Sequence, residues 1–554
     1  MTAAIIFVLL FALMLTGMPV SISLGLTVLT FLFTMTNIPI ESVALKLFTG
    51  IERFEIMAIP FFILAGNFLT HGGVARRMIN FATSMVGHWH GGLGLAGVMA
   101  CALFAAVSGS SPATVVAIGS IILPAMVKAG FPKRFGAGVI TTSGALGILI
   151  PPSIVMVIYS VATNTSVGTL FMAGVVPGLI LASMLGLVTW YRAWRNDYPR
   201  MHLVAGRTGG QASIATIAGL TASLFFIAAP MLALWLAIGK LQGGGFLVVL
   251  SGMIWLVIAR LLTRSVFVLR WVFTLAFLAA PPLLVYAISG VFLPDSGTAM
   301  LLGLLVLWLV LAYPLAKKAD LVRGIALEAR HEALLVWNTF WESIWGLLLV
   351  IVVLGGIYSG IFTPTEAAAM SAVYAFVVAV FVYKDMGLKQ VPKVLLDSAN
   401  MSAMLLYIIT NAVLFSYLLT SEQIPQVLAD WMIGKGLGAV TFLLMVNLLL
   451  LIAGNVMEPS SIVLITAPML FPVAMRLGID PVHFGILITV NMEVGMCHPP
   501  VGLNLYVASG ITKMGITELT IAVWPWLLTM LVFLIMVTYM PQMSLWLPRL
   551  LGMM

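Results

Sequence analysis

Charge is scarce in this sequence. Lys, Arg, Asp and Glu make up 8% of its 554 residues, against 62% hydrophobic residues, and the mean hydropathy is +1.15. Too few polar side chains remain to cover a water-soluble domain, so the composition indicates a polytopic membrane protein. Cysteine is scarcer still. Cys101 and Cys497 both lie in apolar context, which excludes a disulfide framework and a thiolate metal centre. Catalytic signatures are missing as well: the chain has no zinc-protease spacing, no phosphate-binding glycine loop and no nucleophile elbow, and so no fuel-hydrolysing motor of its own. The formal net charge of +8 would suit nucleic acid, but the basic residues stand in short loops between apolar runs. That is the pattern of membrane orientation. The first segment, AAIIFVLLFALMLTG, has neither a basic flank nor a small-residue cleavage signal, and reads as a first span.

A membrane-crossing helix needs about 20 apolar residues. Such runs are expected near 3–18, 20–37, 55–71, 135–162, 168–191, 340–361, 364–383, 400–420, 482–511 and 518–540. Four more fall in a hydrophobic insertion at 208–315, followed by an amphipathic cytoplasmic connector at 316–339. Two pairs of runs are too short to cross. Those at 92–107 and 112–127 are joined by SGSSP, and those at 440–456 and 461–475 by NVMEPS. Each pair reads as a re-entrant hairpin, over about 92–127 in the first half (1–205) and about 440–475 in the second half (340–554). Arg76, Arg77, Lys128, Lys133 and Arg134 flank the first hairpin, while Glu422, Asp430, Lys435, Arg476 and Asp480 flank the second. By the positive-inside rule the first enters from the cytoplasm and the second from outside, with both chain termini periplasmic.

The stretch after each hairpin recurs. Pro124, Gly130, Thr141, Gly147, Pro151 and Pro152 match Pro472, Gly478, Thr489, Gly495, Pro499 and Pro500 at one constant offset. Copies that enter from opposite sides form an inverted repeat, and interrupted helices meeting near the bilayer midplane are an architecture of secondary transporters. The expected fold is an all-α polytopic membrane protein with two re-entrant helical hairpins and two broken helices.

Breaking a helix in hydrocarbon is costly unless the freed backbone lines a polar site. At Gly147–Pro152 and Gly495–Pro500 the prolines supply no N–H and block the preceding helical turn, so carbonyl oxygens are freed at a helix end that carries partial negative charge. An oxygen cage of that kind suits a small cation such as Na⁺. The hairpin tips Ser108, Gly109, Ser110 and Ser111, and Gly454, Asn455, Glu458, Ser460 and Ser461, add hydroxyl and carbonyl oxygens. They also present helix N-termini able to attract a carboxylate. The candidate ion- and substrate-binding residues are therefore these tips together with Gly147, Pro151, Pro152, Asn491, Gly495, His498 and Pro499. Acids at membrane depth are expensive and usually functional. Glu458 either serves the site or caps its hairpin's second helix, and Glu493 either ligates or hydrogen-bonds the partner repeat. His498, which replaces Ile150 of the first copy, reads as a hydrogen-bonded structural residue. Thr363-Pro364-Thr365-Glu366 reads as a capping box.

The motifs GSSPATVVAIGS, GILIPP, GGIYSGIFTPTEAA, PVHFGILITVNMEVG and HPPVGLNLYVASG resemble the large permease subunit of tripartite ATP-independent periplasmic (TRAP) transporters, over about 1–205 and 330–554. The resemblance implies an elevator-type, Na⁺-driven importer of organic acids in the bacterial inner membrane. It implies as partners a small four-helix membrane subunit and an extracytoplasmic solute-binding protein, with C4-dicarboxylates and sialic acid among known substrates. It also implies sodium sites around Ser108–Ser111, Gly454–Ser461 and Gly495–Pro500. Many relatives carry Thr where His498 stands, and shorter members lack a counterpart of 208–315. Two other readings compete: a proton-coupled or exchanging anion antiporter that works without a binding protein through Glu458, Glu493 and His498, and an intramembrane enzyme with Ser110 and His498 as nucleophile and base.

Overall fold

In a computed structural model the described residues are 2–35, 39–199, 319–436, 438–455, 457–499 and 502–554, and the regular elements among them are all helical. Eight of these helices are long and apolar enough to cross a membrane. Contacts divide the chain into two units, residues 1–201 with 343–554, and residues 202–342. The insertion expected at 208–315 lies outside the described residues. The connector expected at 316–339 and the span expected at 340–361 form one helix, Ala319–Tyr358.

The first unit holds both hairpins, and the second arm of each is among those eight, which corrects the expectation that every arm is too short to cross. Gly92–Ser108 and Ser111–Lys128 form the first; Ala439–Gly454 and Pro459–Arg476 form the second. The first tip is made by Gly109 in the left-handed region at φ +62°, a conformation that an L side chain resists. The repeat read from prolines and glycines holds at the level of element boundaries. The second arms, each 18 residues long, start at Ser111 and Pro459, and the broken helices that follow start at Lys133 and Pro481. Both steps are the same 348 residues. Even the turns agree, since Gly130 and Gly478 take φ of +89° and +74° between arm and broken helix.

The two breaks differ in where they begin. The second broken helix stays α-helical over Pro481–Cys497 and resumes at Leu503–Thr512. The first leaves the α form at Ser143, runs as a 3₁₀ turn over Gly144–Ile148 and resumes at Ile154–Thr163. Gly144 and Gly147 stand within that turn, and two glycines in four residues weaken a helix before any proline is reached. In the second copy Met492 replaces Gly144, and the helix continues.

The copies interlock. Ile154–Thr163, the far half of the first broken helix, packs on Pro459–Arg476 of the second hairpin, and Leu503–Thr512 packs on Ser111–Lys128 of the first. Tyr159 donates a hydrogen bond to the Pro481 carbonyl at 2.8 Å, and Gly485 leaves the space its ring fills: a Cβ there would lie 2.5 Å from Tyr159 Cε1. Polar anchors hold the ends of the bundle. Arg134 pairs with Glu518 at 2.7 Å and Arg476 with Asp430 at 2.8 Å, while Arg76 and Arg77 both reach Asp385. Thr363 and Glu366 form the expected capping box, with Thr363 N donating to Glu366 Oε2 at 2.8 Å and Glu366 N to Thr363 Oγ1 at 3.3 Å.

Candidate ion and substrate site

Each hairpin tip meets the break of its own repeat, backbone against backbone. In the first repeat a Cβ added to Gly147 would lie 2.6 Å from the Ser110 carbonyl oxygen and 2.9 Å from Ser111 Cα, and one added to Gly109 would lie 2.8 Å from the Pro152 carbonyl oxygen. Ile154 N donates to the Gly109 carbonyl at 3.5 Å. Ser108, Gly109, Ser110 and Ser111 are thus brought onto Gly147, Pro151 and Pro152, with Ser110 alone partly exposed among the four tip residues. The tip also fixes itself, because the Ser108 and Thr114 hydroxyls pair at 2.9 Å and Thr114 Oγ1 donates to the Ser110 carbonyl at 2.8 Å. Ser153 caps the resumed helix and donates to the Ile148 carbonyl at 2.5 Å, which holds the ends of the break together.

In the second repeat tip and break also approach through backbone, but at another tip position: Gly454 and Gly495 meet, a Cβ on either lying 3.0 Å from the other's Cα. His498 Nδ1 donates to Asn455 Oδ1 at 2.9 Å, so the residue at the C-cap of Pro481–Cys497 is tied to the tip. Pro499 follows, partly exposed. The tips differ electrostatically. Glu458 is the N-cap of Pro459–Arg476, accepting from Ser461 N at 3.2 Å and from the Ser460 and Ser461 hydroxyls at 2.6 and 3.3 Å. A carboxylate of the chain therefore already stands at the N-terminus of the second tip's helix, on the Ser461 N–H and two hydroxyls. At the first tip the N-cap Ser110 makes no side-chain cap, which leaves that helix N-terminus available to an external anion.

Two of the expected residues lie elsewhere. Asn491 is fully buried and turned away from the tip, with Nδ2 donating to Asn447 Oδ1 at 2.9 Å on the first arm of the second hairpin. Asn447 in turn donates to Thr538 at 2.8 Å. Glu493 is fully buried, and neither carboxyl oxygen has a hydrogen-bond partner among the described residues. Of its two readings, the hydrogen bond to the partner repeat is corrected: no such bond is present among the described residues. Its neighbours along the helix, Val490, Met492, Val494, Met496 and Cys497, are buried and offer it no cation.

Sequence reading missed a polar residue that joins the copies. Asn504 is fully buried in the first turn of the helix that resumes after the second break. Its Nδ2 donates to Ser111 Oγ at 2.7 Å, and Ser111 Oγ can return a bond to its Oδ1 at 3.1 Å. The same Nδ2 lies 3.5 Å from the Thr141 carbonyl and 3.6 Å from Cys497 Sγ. Its one signal was a polar residue inside the apolar run of PPVGLNLYVAS. Beside the Cys497 thiol and the His498 imidazole, the polar groups here are hydroxyls, amide groups and carbonyls, oxygen donors of the kind that suit a hard cation. No three His, Cys, Asp or Glu side chains converge among the described residues.

The sequence matches the family described as "Tripartite ATP-independent periplasmic transporter, DctM component" over residues 7–279 and 274–543. It is 59% identical, over the full length of both chains, to a protein of Rhodobacter capsulatus named C4-dicarboxylate TRAP transporter large permease protein DctM. A protein of the same name from Pseudomonas aeruginosa is 43% identical, over 96% of this chain and 95% of that one. The isethionate TRAP transporter permease protein DctMQ of Oleidesulfovibrio alaskensis is 32% identical over 95% of this chain and 63% of its own length. These relatives are named as transporter permeases, not as enzymes.

Proposed function

The chain belongs to the DctM-component family of tripartite ATP-independent periplasmic transporters, and on that premise we propose that it is the large membrane subunit of a Na⁺-coupled importer of C4-dicarboxylates. The observation that carries this reading is the close backbone approach of tip and break in each repeat, Gly109 to Pro152 and Gly147 to Ser110 and Ser111 in the first, and Gly454 to Gly495 in the second. A glycine cradle of this kind brings carbonyl oxygens close together without side chains, which is what a dehydrated Na⁺ requires. The sodium ions are held at the tips and breaks, by carbonyls and hydroxyls of Ser108–Ser111 with Gly147–Pro152, and of Gly454–Ser461 with Gly495–Pro499. The substrate carboxylate takes the uncapped first tip, because Glu458 fills the equivalent place at the second and would repel it. The dicarboxylate names of the relatives at 59% and 43% identity support the substrate class.

Both hairpins and both broken helices move together as the elevator. Partners are a small four-helix membrane subunit, which the fused DctMQ relative supports, and an extracytoplasmic binding protein that delivers the acid. The location is the bacterial inner membrane. Purified chain with the small subunit, in proteoliposomes supplied with loaded binding protein, should take up succinate only with an inward Na⁺ gradient. Uptake driven equally by a proton gradient, or without binding protein, would favour the antiporter reading instead.

The inversion of the two copies has its own test. Lys133 and Arg476 are both exposed, and the native Cys101 and Cys497 are buried, so background labelling is low. A cysteine at Lys133 should resist an impermeant thiol reagent in intact cells, and one at Arg476 should react. Equal labelling of the two would remove the inverted repeat.

A further inference from the structure

Near their breaks the two copies are joined by the Asn504 carboxamide and, more weakly, by the Cys497 thiol. Among the described residues, Ser111–Lys128 and Leu503–Thr512 share the Asn504–Ser111 hydrogen bonds, whereas the pseudo-equivalent pair, Pro459–Arg476 and Ile154–Thr163, packs without one. The carboxamide of Asn504 touches three points. Ser111 begins the helix that leaves the first tip; the Thr141 carbonyl lies just before the first break; Cys497 closes the helix before the second break. The Cys497 thiol reaches the same Thr141 carbonyl at 3.5 Å. Ser111 belongs to the first cage, since Gly147 packs on Ser110 and Ser111, and Thr141 stands on the helix that leads into it. Asn504 stands on the segment that restarts after the second cage. Ser111, Thr141, Cys497 and Asn504 are fully buried, so water does not compete for their bonds, and a shift of either segment strains them directly.

We propose that Asn504 is a positioning residue that couples the two cages, so that a cation bound at the second break sets the first hairpin tip in its binding shape, and the reverse. The coupling is reciprocal, as any equilibrium linkage must be. This rests on the sodium reading above. It adds that the ions bind cooperatively and that one neutral amide carries the cooperativity. The amide suits the task because it offers both acceptor and donor to a single serine hydroxyl, and its remaining N–H reaches toward the Thr141 carbonyl.

The test compares the unmodified chain with Asn504→Ala and with Asn504→Leu, which keeps the volume but loses every bond. Each is assembled with the small subunit and reconstituted with binding protein. Uptake against Na⁺ concentration should give a Hill coefficient above one for the unmodified chain. Both variants should fall toward one, with half-saturation raised about tenfold, the size expected for loss of a buried hydrogen-bond link. A merely structural role would lower yield and rate but leave the Hill coefficient unchanged. A second measurement needs no transport: amide hydrogen exchange of peptides covering 105–115 and 490–499 across a Na⁺ titration of the detergent-solubilised complex. Protection of the two peptides should rise at one Na⁺ concentration in the unmodified chain and at separate concentrations in the variants. Cooperativity retained in both variants, coincident protection midpoints in the variants, or a Hill coefficient of one in the unmodified chain would overturn the coupling while sodium dependence stood. Uptake by the unmodified chain that ignores Na⁺ would overturn both readings.

Discussion

Alanine at Gly147 should damage transport more than alanine at Gly495, although the two glycines hold equivalent places in the repeat. A Cβ at Gly147 would meet Ser110 O at 2.6 Å, Ser110 C at 2.7 Å and Ser111 Cα at 2.9 Å. All three are backbone atoms of a buried tip, and no rotamer change can relieve them. The tip must withdraw from the break, opening the cage and displacing the helix N-terminus proposed to hold the carboxylate. At Gly495 the nearest atom, Gly454 Cα, would be 3.0 Å away and the next 3.5 Å, a crowding that a few tenths of an ångström relieves. Overpacking of a well-filled site costs about 1–3 kcal/mol, so Gly147→Ala should lower apparent Na⁺ affinity by roughly five- to hundredfold, and Gly495→Ala by less. Sodium titrations of initial uptake rates check this, with complex formation verified by size-exclusion chromatography. Equal defects, or the larger one at Gly495, would mean that tip-to-break contact does not set ion affinity.

Much of this geometry was legible because its determinants are local. SGSSP and the paired prolines mark places where a helix cannot continue whatever surrounds it, so hairpins and breaks could be placed from the chain alone. The constant spacing of Pro124, Gly130 and Gly147 with Pro472, Gly478 and Gly495 then fixed the repeat, and the same spacing reappears in helix boundaries and positive-φ glycines. What escaped was non-local. Asn504 and Ser111 are 393 residues apart, and no periodicity announces that an asparagine in one copy will meet a serine in the other. The flanking charges of the first hairpin looked purely basic, yet Arg134 meets Glu518 and Arg77 meets Asp385, acids that only the fold brings near. Asn491 and Glu493 were placed by proximity in sequence to the second break. Two residues apart on a helix, they point to nearly opposite sides; Asn491 faces Asn447, and Glu493 has no hydrogen-bond partner among the described residues. The capping role of Glu458 was one of two readings, and the competing N–H groups of its own helix decided it.

Valine at Gly495 should weaken sodium dependence far more than threonine at His498, and the comparison separates a backbone cage from a side-chain ligand. The first atom of the valine side chain would already stand 3.0 Å from Gly454 Cα, with Gly454 C at 3.5 Å and O at 3.7 Å. Its two branching methyls, held in few rotamers by β-branching, must be accommodated on the fully buried face where Gly454 and Gly495 meet. The second tip is then pushed off its break, and the oxygens proposed to bind Na⁺ separate. His498→Thr removes one hydrogen bond, from Nδ1 to Asn455 Oδ1, between residues that are both partly exposed. That loss is worth about 0.5–1.5 kcal/mol, a shift of roughly two- to tenfold. The valine should instead move half-saturation by about tenfold or more. Because Asn455 stays in place and a threonine hydroxyl can face it, the His498 variant should keep its maximal rate. Uptake measured across a range of Na⁺ concentrations at fixed succinate and binding protein decides between them. An unchanged sodium curve in Gly495→Val would show that the ion does not depend on the closeness of tip and break, and a larger loss in His498→Thr would move the ligand from backbone to imidazole.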